Sequence, residues 1–128
     1  MKLLLDTHLL LWAVGAPERI AEPTRLMLND PANELLFSVA SLWEISTKLG
    51  LDREDFRVDP HLLRRGLLDH GFRELPVTSE HAVAVTGLPT LHKDPFDRML
   101  VAQSIVEGIL LLTSDALVAR YPGPVRLI

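Results

Sequence analysis

Four acids stand where apolar runs give way to the next segment: Asp6 after Met1-Lys-Leu-Leu-Leu5, Glu44 in Ser41-Leu-Trp-Glu44, Asp97 in Asp94-Pro-Phe-Asp97, and Asp115 after Leu110-Leu-Leu-Thr-Ser114. This pattern constrains the fold more than any other feature of the chain. Short apolar runs read as strands buried on both faces. Acids do not belong inside such strands, so they fall at strand ends, where they can point into a shared crevice. Several carboxylates in one crevice repel each other unless a cation or a proton separates them. Hard divalent cations bind oxygen ligands, so an all-carboxylate cluster suggests magnesium or manganese.

Between the acids the pattern alternates. Leu3 to Leu5 reads as a strand and His8 to Val14 as a helix ended by Gly15-Ala-Pro17. Pro23 to Asn29 reads as a second helix, followed by a turn at Asn29-Asp-Pro-Ala-Asn33. Glu34 to Val39 is a strand, and the helix after it runs to Leu49 with Gly50 as its closing glycine. Leu51 to Asp59 is a polar connection, and Pro60 to His70 is helical with Leu62, Leu63, Leu67 and Leu68 on its inner face. Phe72 to Val77 is a strand weakened by Pro76 and so placed at a sheet edge. Ser79 to Thr86 is a short helix, Pro95 to Glu107 a longer one, and Ile109 to Thr113 a strand. Asp115 to Arg120 reads as a short helix and Val125 to Ile128 as a last edge strand. Strands alternating with helices predict a single α/β domain over residues 1–128, with a mostly parallel sheet of four to five strands.

Composition narrows the classes. With 48% hydrophobic residues, 128 residues supply a core without staples, and no cysteine is present for disulfides, thiolate chemistry or zinc–thiolate sites. No signal-peptide pattern and no membrane-length apolar run occur, which predicts a soluble cytoplasmic protein. The net charge is -4, from 13 basic and 17 acidic residues, which argues against tight non-specific binding of long nucleic acid. A phosphodiester substrate stays compatible, because bound divalent ions would make the site locally positive.

Each acid also has a structural reading. Asp is a favoured helix N-cap, which would account for Asp6 and Asp115, although Thr7 and Ser114 could cap instead and leave the acids free. Ser41-x-x-Glu44 matches a capping box, with Ser38 as the competing cap. Pro95 at a first helical position makes Asp94 the N-cap and puts Asp97 in the first turn, where an acid complements the helix dipole. Single acids are explained this way; four at the same kind of boundary are not.

The segments Leu4-Leu-Asp-Thr-His8, Ser38-Val-Ala-Ser-Leu-Trp-Glu-Ile-Ser-Thr-Lys48, His92-Lys-Asp-Pro-Phe-Asp-Arg-Met-Leu-Val-Ala-Gln103 and Leu112-Thr-Ser-Asp115 resemble the PIN-domain family, most closely its VapC-type toxin ribonucleases. The resemblance spans essentially the whole chain, and the third segment is its most specific part. It implies a three-layer α/β/α sandwich and an endoribonuclease site holding one or two Mg²⁺ or Mn²⁺ ions on Asp6, Glu44, Asp97 and Asp115. It matches Thr7 and Ser114 to the hydroxyls beside the first and last acids. It matches Asp94 to a recurrent acid of the subgroup, whose first role is helix capping. It further implies a VapB-like antitoxin, DNA contact only through that antitoxin, an RNA substrate and a homodimer.

In the mechanism expected from these residues, Asp6 is central, Glu44 and Asp97 complete the firmer metal position, and Asp115 serves a second. Thr7 and Ser114 orient waters or a phosphate oxygen, and Lys48 and Arg98 are rim contacts for phosphate. The five histidines (His8, His61, His70, His81 and His92) show no paired ligand spacing, and His8 is the one near the site. Two rival readings stand beside this one. A catalytically silent interaction module would use the acids only as caps. A magnesium-dependent phosphatase would use Asp6 as nucleophile, but His8 occupies the position where such enzymes often place a second Asp. The leucine-rich stretch Leu9 to Trp12, with Leu26 and Leu28, supplies candidate contact surface for a partner.

Overall fold

The computed structural model describes residues 1–49, 51 and 58–128. Gly50 and most of the connection read at 51–59 lie outside the described residues. Five strands form one sheet: β1 (Lys2–Leu5), β2 (Glu34–Ser38), β3 (Arg73–Leu75), β4 (Leu110–Thr113) and β5 (Val125–Leu127). Their order is β3-β2-β1-β4-β5, and all four pairings are parallel. Six α-helices accompany them among the described residues: α1 (Thr7–Gly15), α2 (Glu22–Asn29), α3 (Val39–Leu49), α4 (Pro60–Asp69), α5 (Ser79–Ala84) and α6 (Pro95–Glu107).

The central strand shows why its sequence is a continuous Leu run rather than an alternation. Leu3 and Leu5 pack on one side of the sheet with Leu9, Leu10, Phe37, Ile45, Leu63 and Leu67. Leu4 points to the other side, with Leu36, Leu75, Leu100, Val101 and Leu111. Successive residues of a strand face opposite ways, and here both faces are covered, so every position must be apolar. The first layer of helices therefore includes α1, α3 and α4, and the opposite layer α6, giving the expected three-layer sandwich.

The helix boundaries follow local chemistry. Asp94 caps α6 by accepting from the N–H groups of Phe96 and Asp97 at 2.8 and 3.1 Å, with Pro95 at the first helical position. Gly108 ends the helix at φ 66°, a left-handed conformation that costs glycine least. Thr78, not Ser79, caps α5, in a reciprocal pair with His81. A polar chain running from the core to the surface then joins β2 to the helices on that side: Ser38 donates to Gln103 at 2.6 Å, Gln103 Nε2 lies 3.4 Å from His81 Nδ1, and His81 meets the exposed Glu107 at 2.8 Å.

On α4 only Leu63 and Leu67 are buried, while Leu62 and Leu68, expected on the inner face, are exposed because they lie on the flank turned away from the sheet. Two expected elements also differ. Residues 115–120 are not an α-helix but a turn followed by a 3-10 helix, Val118–Arg120, because the Asp115 side chain takes the Leu117 N–H and favours a tight turn. The third strand shrinks to Arg73–Leu75, just short of Pro76, which has no N–H to pair. Phe37 is fully buried, so Phe37→Ala should destabilise the protein by about 3–5 kcal/mol, read as a lower urea midpoint at an unchanged slope.

Candidate functional site

In an open parallel sheet, ligands bind beyond the carboxyl ends of the strands where the strand order reverses. Here that point lies between β1, which leads on to β2 and β3, and β4, which leads on to β5. Asp6 follows β1, and Thr113, Ser114 and Asp115 close β4.

Asp6 is 6% exposed, and three donors hold its carboxylate. Leu9 N–H donates to Oδ1 at 2.9 Å, making Asp6 the N-cap of α1. Thr113 Oγ1 donates to Oδ2 at 2.7 Å, and Ser114 N–H to the same oxygen at 3.1 Å. Capping and site placement are thus one arrangement, not alternatives. Burial nonetheless pushes the Asp6 carboxyl above its ordinary range, against these hydrogen bonds and the nearby His8.

Glu44 is the sixth residue of α3 and is 3% exposed. Ser38, not Ser41, takes the first-turn role, accepting from Ala40 N–H at 3.0 Å, so the capping-box reading of Glu44 falls away. Oε2 meets Lys48 Nζ at 2.5 Å, while Oε1 is buried with no hydrogen-bond partner among the described residues. A buried carboxylate oxygen without a donor is costly.

Asp97, in the first turn of α6, shows the consequence of crowding. Burial first, then the charges of Asp94 and Glu44, push its carboxyl up to about 7, with Asp6 adding and His92 opposing. Asp115 lies across the site from it. His92 Nε2 is 3.3 Å from Asp97 Oδ2 and 3.4 Å from Asp115 Oδ2. The four acids expected together therefore converge: Glu44, Asp94 and Asp6 act electrostatically on Asp97, and Asp115 faces it across one imidazole.

The other expected residues stand differently. Thr7 is buried, and its hydroxyl donates to Ser41 Oγ at 3.0 Å, which staples α1 to α3 rather than leaving a hydroxyl for substrate. Ser114 contributes its backbone N–H to Asp6. Lys48 is held by Glu44 and lies 4.0 Å from Asp94 rather than reaching out from the rim. Arg98 is spent on structure, donating to Pro89 O at 2.8 Å, Val85 O at 3.3 Å and Tyr121 Oη at 3.1 Å, and so pins the chain before α6. Two residues escaped the sequence reading. Thr113 looked like the end of an apolar strand, yet its hydroxyl also accepts the Asp115 N–H at 3.0 Å. His92 lacked a partner histidine; its signal was its place two residues before the capping Asp94.

The fold and the site define a parallel α/β protein that gathers carboxylates at its switch point. The chain belongs to the PIN domain family, whose model matches residues 3–124. Ribonuclease VapC22 of Mycobacterium tuberculosis (strain ATCC 25618 / H37Rv) is 27% identical over 125 residues, 95% of each chain. Among solved structures, VapBC2 from Rickettsia felis bound to a promoter DNA fragment contains a chain of similar fold, with a TM-score of 0.74 at 15% identity, covering 100% of this chain and 99% of that one. DNA-bound VapBC from Salmonella typhimurium gives a TM-score of 0.67 at 16% identity, covering 98% and 97%.

Asp97 carries a pH prediction. Its proton is held more tightly in the fold than in the unfolded chain, so the stability this contributes is fully present below about 3.8 and is lost as pH rises through about 7. Without divalent metal, melting temperature should fall over that window. Asp97→Asn cannot ionise, so it should flatten the fall and exceed the native chain at about pH 8 by on the order of 1–4 kcal/mol. Identical melting of the two proteins at that pH would refute the assignment.

Proposed function

We propose that this chain is a metal-dependent endoribonuclease, the toxin of a VapBC-type toxin–antitoxin pair, acting in the cytoplasm. The observation that carries the reading is the partnerless, buried Glu44 Oε1 beside an Asp97 whose carboxyl is pushed up by its acidic neighbours. Carboxylates so placed are destabilising alone and are reconciled by a divalent cation. The kinship with a protein named as a ribonuclease supports RNA as substrate.

Glu44 and Asp97 would hold the firmer ion, Asp6 would lie central to the site, and Asp115 would serve a second position. Bound Mg²⁺ or Mn²⁺ would supply Lewis-acid activation of water and neutralise charge on the phosphate. Asp6 needs no rearrangement for its role, because three donors already fix both of its oxygens. Asp97 must lose its proton before it can hold a cation, so metal affinity should rise as pH passes through about 7. Lys48 keeps Glu44 in place, and Thr113 sets Asp6 against the Asp115 turn. The phosphatase alternative is disfavoured, since an attacking Asp6 would have to give up those donors.

The partner would be a VapB-like antitoxin, which would bring any DNA contact, and the toxin would be a homodimer. The similar VapBC structures from Rickettsia felis and Salmonella typhimurium are both bound to DNA. Leu9 and Leu10 are fully buried and cannot form the contact surface, because both pack against the sheet. Exposed apolar side chains include instead Leu26, Trp43, Leu62 and Val83. A groove of about 470 Å³ lined by Val39, Trp43, Val85, Phe96 and Met99, from α3, the start of α6 and the segment after α5, suits an apolar segment of such a partner.

Cleavage of RNA by the purified chain should need Mg²⁺ or Mn²⁺ and stop in EDTA. Asp6→Asn and Glu44→Gln should each reduce it to background while the far-ultraviolet circular dichroism stays native. Full cleavage in EDTA, or by either variant, would sink the mechanism.

A further inference from the structure

His92 is gripped at its backbone. Tyr121 Oη accepts the His92 N–H at 2.9 Å and donates to the His92 carbonyl at 3.1 Å. Tyr121 is itself 4% exposed, and its hydroxyl also receives Arg98. The ring is oriented as well. Its Nδ1 accepts the Asp94 N–H at 3.2 Å. An imidazole nitrogen that accepts carries no proton, so in the neutral ring the hydrogen-bond network assigns the proton to Nε2. That nitrogen faces Asp97 Oδ2 and Asp115 Oδ2 at 3.3 and 3.4 Å.

His92, Asp97 and Asp115 place their ligand-type atoms within 4.8 Å of one another, as a metal triad would. The orientation of the ring speaks against ligation by His92. A metal-bound histidine offers a bare nitrogen to the ion and donates its other N–H to an acceptor. Here the order is reversed: Nδ1 faces a donor, and Nε2 holds the hydrogen toward the acids.

We propose that His92 is a positioning residue: its Nε2–H gathers Asp97 and Asp115 from two separate elements and preforms this pair of acids for divalent cations without itself ligating an ion. The proposal rests on the metal-site reading above. Asp97 belongs to α6, and Asp115 follows β4 with its side chain 42% exposed. Two like charges on separate elements drift apart unless something holds both. Leu117 N–H fixes Asp115 Oδ1 at 2.8 Å, and His92 Nε2 stands 3.4 Å from Oδ2, an electrostatic contact shared with Asp97 rather than a full hydrogen bond to either acid. A carboxylate oxygen has two lone-pair sites, so each acid keeps room for a cation. Gathering the acids beforehand spares the ion that work.

The test is Mn²⁺ binding to the full chain without RNA, followed by electron paramagnetic resonance. His92→Ala should weaken Mn²⁺ binding about 10-fold or more. His92→Gln, whose amide N–H can still donate to the acids, should recover most of it. Tyr121→Phe, which keeps the buried ring and loses the hydroxyl, should show a smaller loss, and it carries the test if the alanine variant does not fold. Spin-echo modulation should show no directly bound nitrogen on Mn²⁺ in the native chain. A bound imidazole nitrogen that disappears in His92→Ala would overturn the proposal, as would unchanged affinity in His92→Ala or no Mn²⁺ binding by the native chain. A chain that shows the expected Mn²⁺ behaviour but cuts no RNA would refute the nuclease reading and leave the role of His92 standing.

Discussion

The carboxylate of Asp6 accepts from Leu9 in α1 and from Thr113 and Ser114 at the end of β4, and much of the site depends on those three bonds. They join the ends of the two strands that flank the switch point to the start of the first helix. A single buried charge thereby serves as helix cap, strand-end clamp and centre of the acidic cluster. Its burial pushes the carboxyl upward, and its donors pull the other way while holding it in place.

The remaining acids are arranged around that fixed point with too few cations among the described residues to balance them. Lys48 satisfies one oxygen of Glu44, and the other is left buried without a donor. Asp97 responds to the crowding by holding its proton to about 7. The cluster is therefore a stored electrostatic cost that a divalent ion would relieve. Clusters of perturbed carboxylates of this kind are characteristic of functional sites.

Much of the architecture was legible in the chain because burial on both faces leaves an unambiguous mark. Leu3 to Leu5 had to be a central strand, and Pro95 with Asp94 and Gly108 had to bound a helix. The polar partnerships were less legible. Thr7, Lys48 and Arg98 looked like groups free for substrate, yet each finds a partner inside the protein: Ser41, Glu44, and the carbonyls of Val85 and Pro89. The short helix expected at Asp115 became a turn because a side-chain acceptor competed with the backbone.

The amino-acid order by itself determined which residues are acids at segment ends, where most strands and helices fall, and that the domain is α/β with a mostly parallel sheet. Those properties follow from local propensity and from the period of burial. Only the tertiary structure decided that Asp6 meets Thr113 across 107 residues, that Glu44 keeps an oxygen without a partner, and that His92 stands between Asp97 and Asp115. These depend on strand order and on how the helices pack, since β1 lies next to β4 only because the chain reverses direction across the sheet. Spacing along the sequence carries no record of that reversal, and the electrostatics of the site exist only once it has happened.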